Sequence, residues 1–161
     1  MSYSAFDGFD HIASGSLAQV YTASTSQSLI FDRETGRVVD VDPRFPPQED
    51  GPRPGRPKLG VTAREVTLLP RHWDWLATQP GGASVALRKL VEAASRDPKS
   101  RQRQRRDAAY RLATALVGNA PGYEEAMRAL YAGAAEDFAA HIEAWPADVR
   151  RVLEEMTQEA F

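Results

Sequence analysis

The chain has 161 residues, of which 42% are hydrophobic and 26% charged, and it contains no cysteine. That length suffices for one domain, or two small ones sharing a core, without cross-links, and the missing thiols exclude disulfide frameworks, thiol nucleophiles and thiolate zinc sites. The net charge of −2 conceals a segregation: residues 1–52 balance at −5, residues 53–106 at +9 and residues 107–161 at −6.

The first ten residues carry neither a basic start nor an apolar run, so no secretory signal is expected. No apolar stretch approaches the ~20 residues of a membrane span, and a cytoplasmic location is expected. Tyr3–Phe6 and His11–Ala13 read as short strands joined at Asp7-Gly8, a turn dipeptide. Ser16 stands as an N-cap before Leu17, Val20 and Tyr21, which repeat at helical spacing. Leu29–Phe31 and Arg37–Val41 predict a second hairpin around Glu34-Thr35-Gly36. Six prolines between Pro43 and Pro57 forbid regular structure there and coincide with the change of charge sign, which marks a boundary.

From Arg64 the pattern tightens. Glu65–Leu69 reads as a strand, stopped by Pro70, a residue suited to the first turn of a helix over Arg71–Gln79. Trp73, Leu76 and Ala77 share one face of that helix, with Trp73 expected in the core. Pro80-Gly81-Gly82 ends it. Ser84 is then the expected N-cap of a helix to about Ser95, in which Leu87, Leu90, Val91 and Ala94 form an apolar stripe. Beyond the basic run Arg101–Arg106, four further stripes predict helices: Ala109/Leu112/Ala113/Leu116, Tyr123/Met127/Leu130/Tyr131, Phe138/Ile142 and Val149/Leu153/Met156. Trp145 is expected in the core at a helix junction.

The order of strand, Leu-Pro, helix, glycine turn and Ser-headed helix over residues 61–95 resembles the ribbon-helix-helix family of bacterial and phage DNA-binding proteins. The matching residues are Arg64–Leu76, Gly81–Ser84 and Val85–Val91. The resemblance implies a homodimer whose paired strands enter the major groove as a two-stranded ribbon. It also implies that Ser84, at a helix start, anchors a phosphate. In the family's usual register Arg64, Val66 and Leu68 face the DNA; a slip of one residue presents Glu65 and Thr67 instead. A core kept for dimerisation alone is the alternative. The whole chain is also similar, over Leu29–Val41 and Gly60–Val91, to an uncharacterised bacterial domain-of-unknown-function family, a likeness that implies no activity.

Two further basic groups flank this core. Pro52–Lys58 is similar to an AT-hook with Pro54 inserted, so Arg53, Arg56 and Lys58 suit a narrow minor groove, although a basic linker accounts for them equally. On a helix, Arg101 and Arg105 share a face, as do Arg103 and Arg106. Arg71, Arg88 and Lys89 complete the candidate DNA contacts.

His11, His72 and His141 show no ligand spacing, and no P-loop, nucleophile elbow or dinucleotide-binding glycine motif is present, so no metal, cofactor or catalytic residue is expected. The expected architecture is α+β: an α/β unit at 1–45, a proline-rich arm at 46–60, a ribbon-helix-helix core at 61–96 and a helical region at 97–161. The expected function is double-stranded DNA binding by a dimeric, non-enzymatic regulator with no membrane association. A protein-interaction module acting through the acidic helices after Asp107 is the alternative.

Overall fold

The computed structural model describes residues 2–48, 60 and 62–161. Gly8, at a positive φ of 60°, reverses the chain between β1 (Tyr3–Asp7) and β2 (Asp10–Gly15), which pair antiparallel from Tyr3 opposite Gly15 to Asp7 opposite Asp10. Ser16 then starts α1 (Leu17–Ala23) through a reciprocal cap. The Gln19 N–H donates to Ser16 Oγ at 3.2 Å, and the Ser16 N–H donates to Gln19 Oε1 at 3.0 Å. β3 (Leu29–Asp32) joins the other edge of β1, giving the order β2-β1-β3.

The second hairpin expected over Leu29–Val41 shrinks to one bridge, Phe31 with Val38, supported by the Asp32 N–H to Arg37 and the Val39 N–H to Ile30. Its return limb is diverted because Val39 and Val41 pack onto the small cluster of Ala5, Val20 and Ile30. That cluster fills one face of the sheet. Ser4, Phe6 and Phe31 occupy the opposite face, as the alternation of side chains along paired strands requires.

Phe6 and Phe31 belong to the main core, together with residues from the helices α4 (Pro98–Val117), α5 (Tyr123–Ala132), α6 (Ala135–Ile142) and α7 (Ala147–Thr157). The regions 1–45 and 97–161, expected as separate, therefore share one core. Residues 1–49 and 101–161 form one compact unit, and residues 50–100 form another. A three-stranded sheet with two apolar faces cannot cover both with a single seven-residue helix, and the C-terminal helices supply the second cover. The expected apolar stripes of these four helices supply Leu112, Leu130, Ile142 and Leu153 to the centre, all fully buried. Trp145 is buried as expected, its Nε1–H donating to the Pro121 carbonyl at 2.9 Å and its ring stacked on Tyr123.

Gly36 welds the sheet to α4. Its φ of 67° is left-handed, and a Cβ there would run into the backbone carbonyl of Ala108. Beside it the Arg111 guanidinium donates to the Thr35 carbonyl at 2.7 Å, and Arg33 pairs with Glu155 at 2.7 Å.

In the second unit, the described residues between 62 and 69 are neither helix nor strand, so the expected strand Glu65–Leu69 does not form within this chain. Among the described residues no other segment offers it a ladder, and a lone strand leaves its backbone groups unpaired. α2 (Pro70–Ala77) begins at Pro70 and ends two residues before the expected Gln79. α3 spans Gly82–Arg96 and is capped not by Ser84 but by Gly81, at a φ of 84°; two consecutive glycines in left-handed conformations start the helix earlier than the serine signal implies. Trp73 is 42% exposed rather than in the core. Among the described residues no helix is long and apolar enough to cross a membrane.

Chemical denaturation should rank two substitutions. Leu112→Ala removes a fully buried side chain and should cost about 2–5 kcal/mol. Gly36→Ala adds one methyl group at a positive φ against backbone and should cost on the order of 2–3 kcal/mol.

Candidate nucleic-acid interface

The candidate contacts fall into three sets. Arg53, Arg56 and Lys58 lie outside the described residues. Arg64, Thr67, Arg71, Ser84, Arg88 and Lys89 belong to the unit of residues 50–100, and all six are exposed. Within this unit α2 packs against α3, but each helix has a single buried residue, Leu76 and Ala86 respectively. Six other apolar side chains stay open: Val66, Leu69, Trp73, Trp75, Leu90 and Val91 are between 42% and 66% exposed. At helical spacing Lys89 and Arg96 fall opposite the stripe of Leu87, Leu90, Val91 and Ala94, with Arg88 between the two faces. Apolar and basic residues therefore occupy different sides of α3. Arg88 also returns to its own helix, its Nε–H donating to the Ser84 carbonyl at 3.2 Å.

Arg101–Arg106 lie in α4, in the other unit, and the fold divides them. Arg101 and Arg103 are exposed. Arg105 pairs with Glu159 at 3.5 Å. Arg106 is a fastening of the core: its Nε–H donates to the Ala160 carbonyl at 2.8 Å, and its Nη1 donates to the Tyr131 carbonyl at 3.3 Å. Tyr131 in turn donates to Asp107 at 2.8 Å, and burial together with that bond pushes its phenol up to about 12. Helical phase does not single Arg106 out, because Arg105 precedes Ala109 by four residues and Leu112 by seven; the two carbonyls within its reach, Tyr131 and Ala160, do.

A polar cluster that spacing could not reveal joins β2 to α7. The His11 backbone N–H donates to Asp148 Oδ2 at 2.9 Å, and Arg151 Nη2 donates to His11 Nδ1 at 3.0 Å. A guanidinium has no acceptor, so the neutral ring carries its proton on Nε2 and donates to Ser14 Oγ at 2.8 Å. Ser14 Oγ lies 2.9 Å from the buried Ser4 Oγ. Activation of Ser14 as a nucleophile requires the opposite tautomer, with Nε2 accepting, so this Ser–His contact is not a general-base pair. Burial first and the Arg151 charge second lower the His11 pKa. The His11 N–H and Arg151 hold the Asp148 carboxyl below its usual range. Among the described residues, no group of three or more His, Asp or Glu side chains is placed to hold a metal ion.

The division of the basic run is checked by urea unfolding. Arg106→Ala should lose about 1–3 kcal/mol, the usual effect of stranding charge-assisted acceptors in a part-buried site. Arg101→Gln and Arg103→Gln should stay within about 0.5 kcal/mol of the parent, as surface substitutions do.

No curated protein and no solved structure matches the chain. One family model does, from residue 45 to residue 157, a span that takes in well over half of the 161 residues and reaches the end of α7. The chain belongs to that family, described as an uncharacterized protein conserved in bacteria, DUF2239.

Proposed function

We propose that this protein is a homodimer that binds double-stranded DNA, with residues 62–69 of two copies pairing as an antiparallel ribbon and the α2–α3 units packing around it. One observation carries the reading. A segment that finds no strand partner among the described residues leads through Pro70 into two helices whose apolar side chains, Trp73, Leu90 and Val91 among them, are left in solvent. A second copy would supply the missing ladder and cover that stripe at once. The basic residues would remain outside: Lys89 and Arg96 lie opposite the stripe, and Arg64 and Arg71 are exposed.

In this reading Arg64 or Thr67 reaches base edges, while Arg71, Ser84, Arg88 and Lys89 contact phosphates. Arg53, Arg56 and Lys58 form a minor-groove arm, and Arg101 and Arg103 add phosphate contacts. Arg105 joins them only by leaving Glu159, and the anchoring of Arg106 removes it from the set. The chain then acts as a regulator, without catalysis or cofactor. A second reading, a dimeric protein-interaction module, draws support from the exposed acids Glu124, Glu125, Glu136 and Asp137 on α5 and α6.

Sedimentation equilibrium and fluorescence anisotropy on a random-sequence duplex test the proposal together. The wild type should sediment as a dimer, and Val91→Glu should yield monomer. Binding should weaken linearly in log–log coordinates with salt, at a slope of about −0.9 per phosphate contacted. Replacing both Arg88 and Lys89 with Gln should make that slope shallower by about two contacts. A dimer that binds no duplex even at ~50 mM salt, a condition favouring phosphate contacts, would remove the DNA reading and leave the interaction module. A monomer would remove the ribbon.

A further inference from the structure

We infer that His11 is an acid-sensitive latch between the β1–β2 hairpin and α7, closed only while its Nδ1 carries no proton. His11 makes two hydrogen bonds to α7: its backbone N–H donates to Asp148 and its ring Nδ1 accepts from Arg151. The second bond requires a neutral ring, because Arg151 can only donate. A proton added at Nδ1 converts the acceptor into a donor and sets an imidazolium against a guanidinium. The bond is lost, and two like charges face each other.

The surroundings offer the imidazolium little compensation. From α7 the ring is faced by Asp148, Arg151 and Glu155, and from the turn after β3 by Arg33. On its own sheet it meets Ser14 and the Phe6 ring, whose centroid lies 5.2 Å away. Both nearby carboxylates are engaged: Asp148 accepts from the His11 N–H and Arg151, and Glu155 accepts from Arg33 at 2.7 Å and Arg151 at 3.2 Å. Burial and the Arg151 charge outweigh these two anions, so the native pKa lies below the usual 6.5.

The sign of the pH effect follows from linkage. The unfolded chain takes up the His11 proton more readily than the native one. The latch contribution is therefore complete above 6.5, declines as pH falls through that value, and levels off below the native pKa. Asp148 and Glu155 titrate below their usual 3.8 and 4.5, so the loss of their contributions begins at more acidic pH.

Long-range ¹H–¹⁵N correlation of the imidazole rings in the full chain tests the latch directly. At about pH 7.5 His11 should show the Nε2–H tautomer, and its titration midpoint should fall below 6.5. Arg151→Gln should move the midpoint upward. His11→Gln offers an acceptor and a donor without titrating, so its melting temperature should fall less than that of the wild type between about pH 7.5 and about pH 5. An Nδ1–H tautomer, a midpoint at or above 6.5, no movement in Arg151→Gln, or equal melting losses in His11→Gln and wild type would each overturn the assignment.

Discussion

Phe6 and Phe31 meet edge to face, with ring centroids 6.0 Å apart, on the side of the sheet that α1 does not cover. Burying those two rings is the constraint from which the first unit follows. A sheet that is apolar on both faces must bury both, and α1 covers only one, so its second face must find an apolar surface. The chain supplies that surface from residues 101–161, across the whole of the intervening segment. The seam is then pinned at points where the backbone itself takes part: Gly36 against the Ala108 backbone, the Thr35 carbonyl under the Arg111 side chain, and the His11 amide on the Asp148 carboxylate. Contacts of such large sequence separation make the unit interdependent, because the sheet loses its cover if the helices part and the helices lose two core rings if the sheet parts.

The unit of residues 50–100 is built on the opposite balance. Its two helices bury one residue each, and together with the segment before them they leave five apolar side chains at least half exposed, Val66, Leu69, Trp75, Leu90 and Val91. Apolar surface concentrated within some thirty residues demands cover, and isolated exposed residues scattered over a protein do not. A ribbon partner would satisfy backbone and side chains together, which is why the dimer reading explains more of this unit than its charge alone does. The +9 balance of residues 53–106 then has an outlet on the polar side of α3 and on the outer face of α4.

Charge count and charge availability diverge along α4. The four arginines between 101 and 106 look equivalent as a string, but a helix turns 100° per residue and distributes them around its circumference. Arg101 and Arg103 point to solvent, Arg105 meets Glu159, and Arg106 closes the core beneath Gly133. An arginine in such a place acts through the geometry of its fork on backbone carbonyls as much as through its charge.

The amino-acid string alone set the local elements: the β1–β2 turn at Gly8, the Ser16 cap, Pro70 at the head of α2, and most buried positions of the C-terminal helices, although Tyr131 of the α5 stripe is 46% exposed. These signals act within a few residues, where caps, turn conformers and a 3.6-residue period operate. It left open which edge β3 would take, and only the structure placed β3 beside β1. Only the tertiary structure joined the two ends of the chain into one core, assigned Arg106 to a structural task and set His11 between Asp148 and Arg151. Those outcomes rest on contacts between residues up to 140 positions apart, and such contacts leave no period or spacing in the string. The same limit explains Trp73, whose helical phase matched a core face: phase says which way a side chain points, and only the presence of a packing partner decides whether anything covers it.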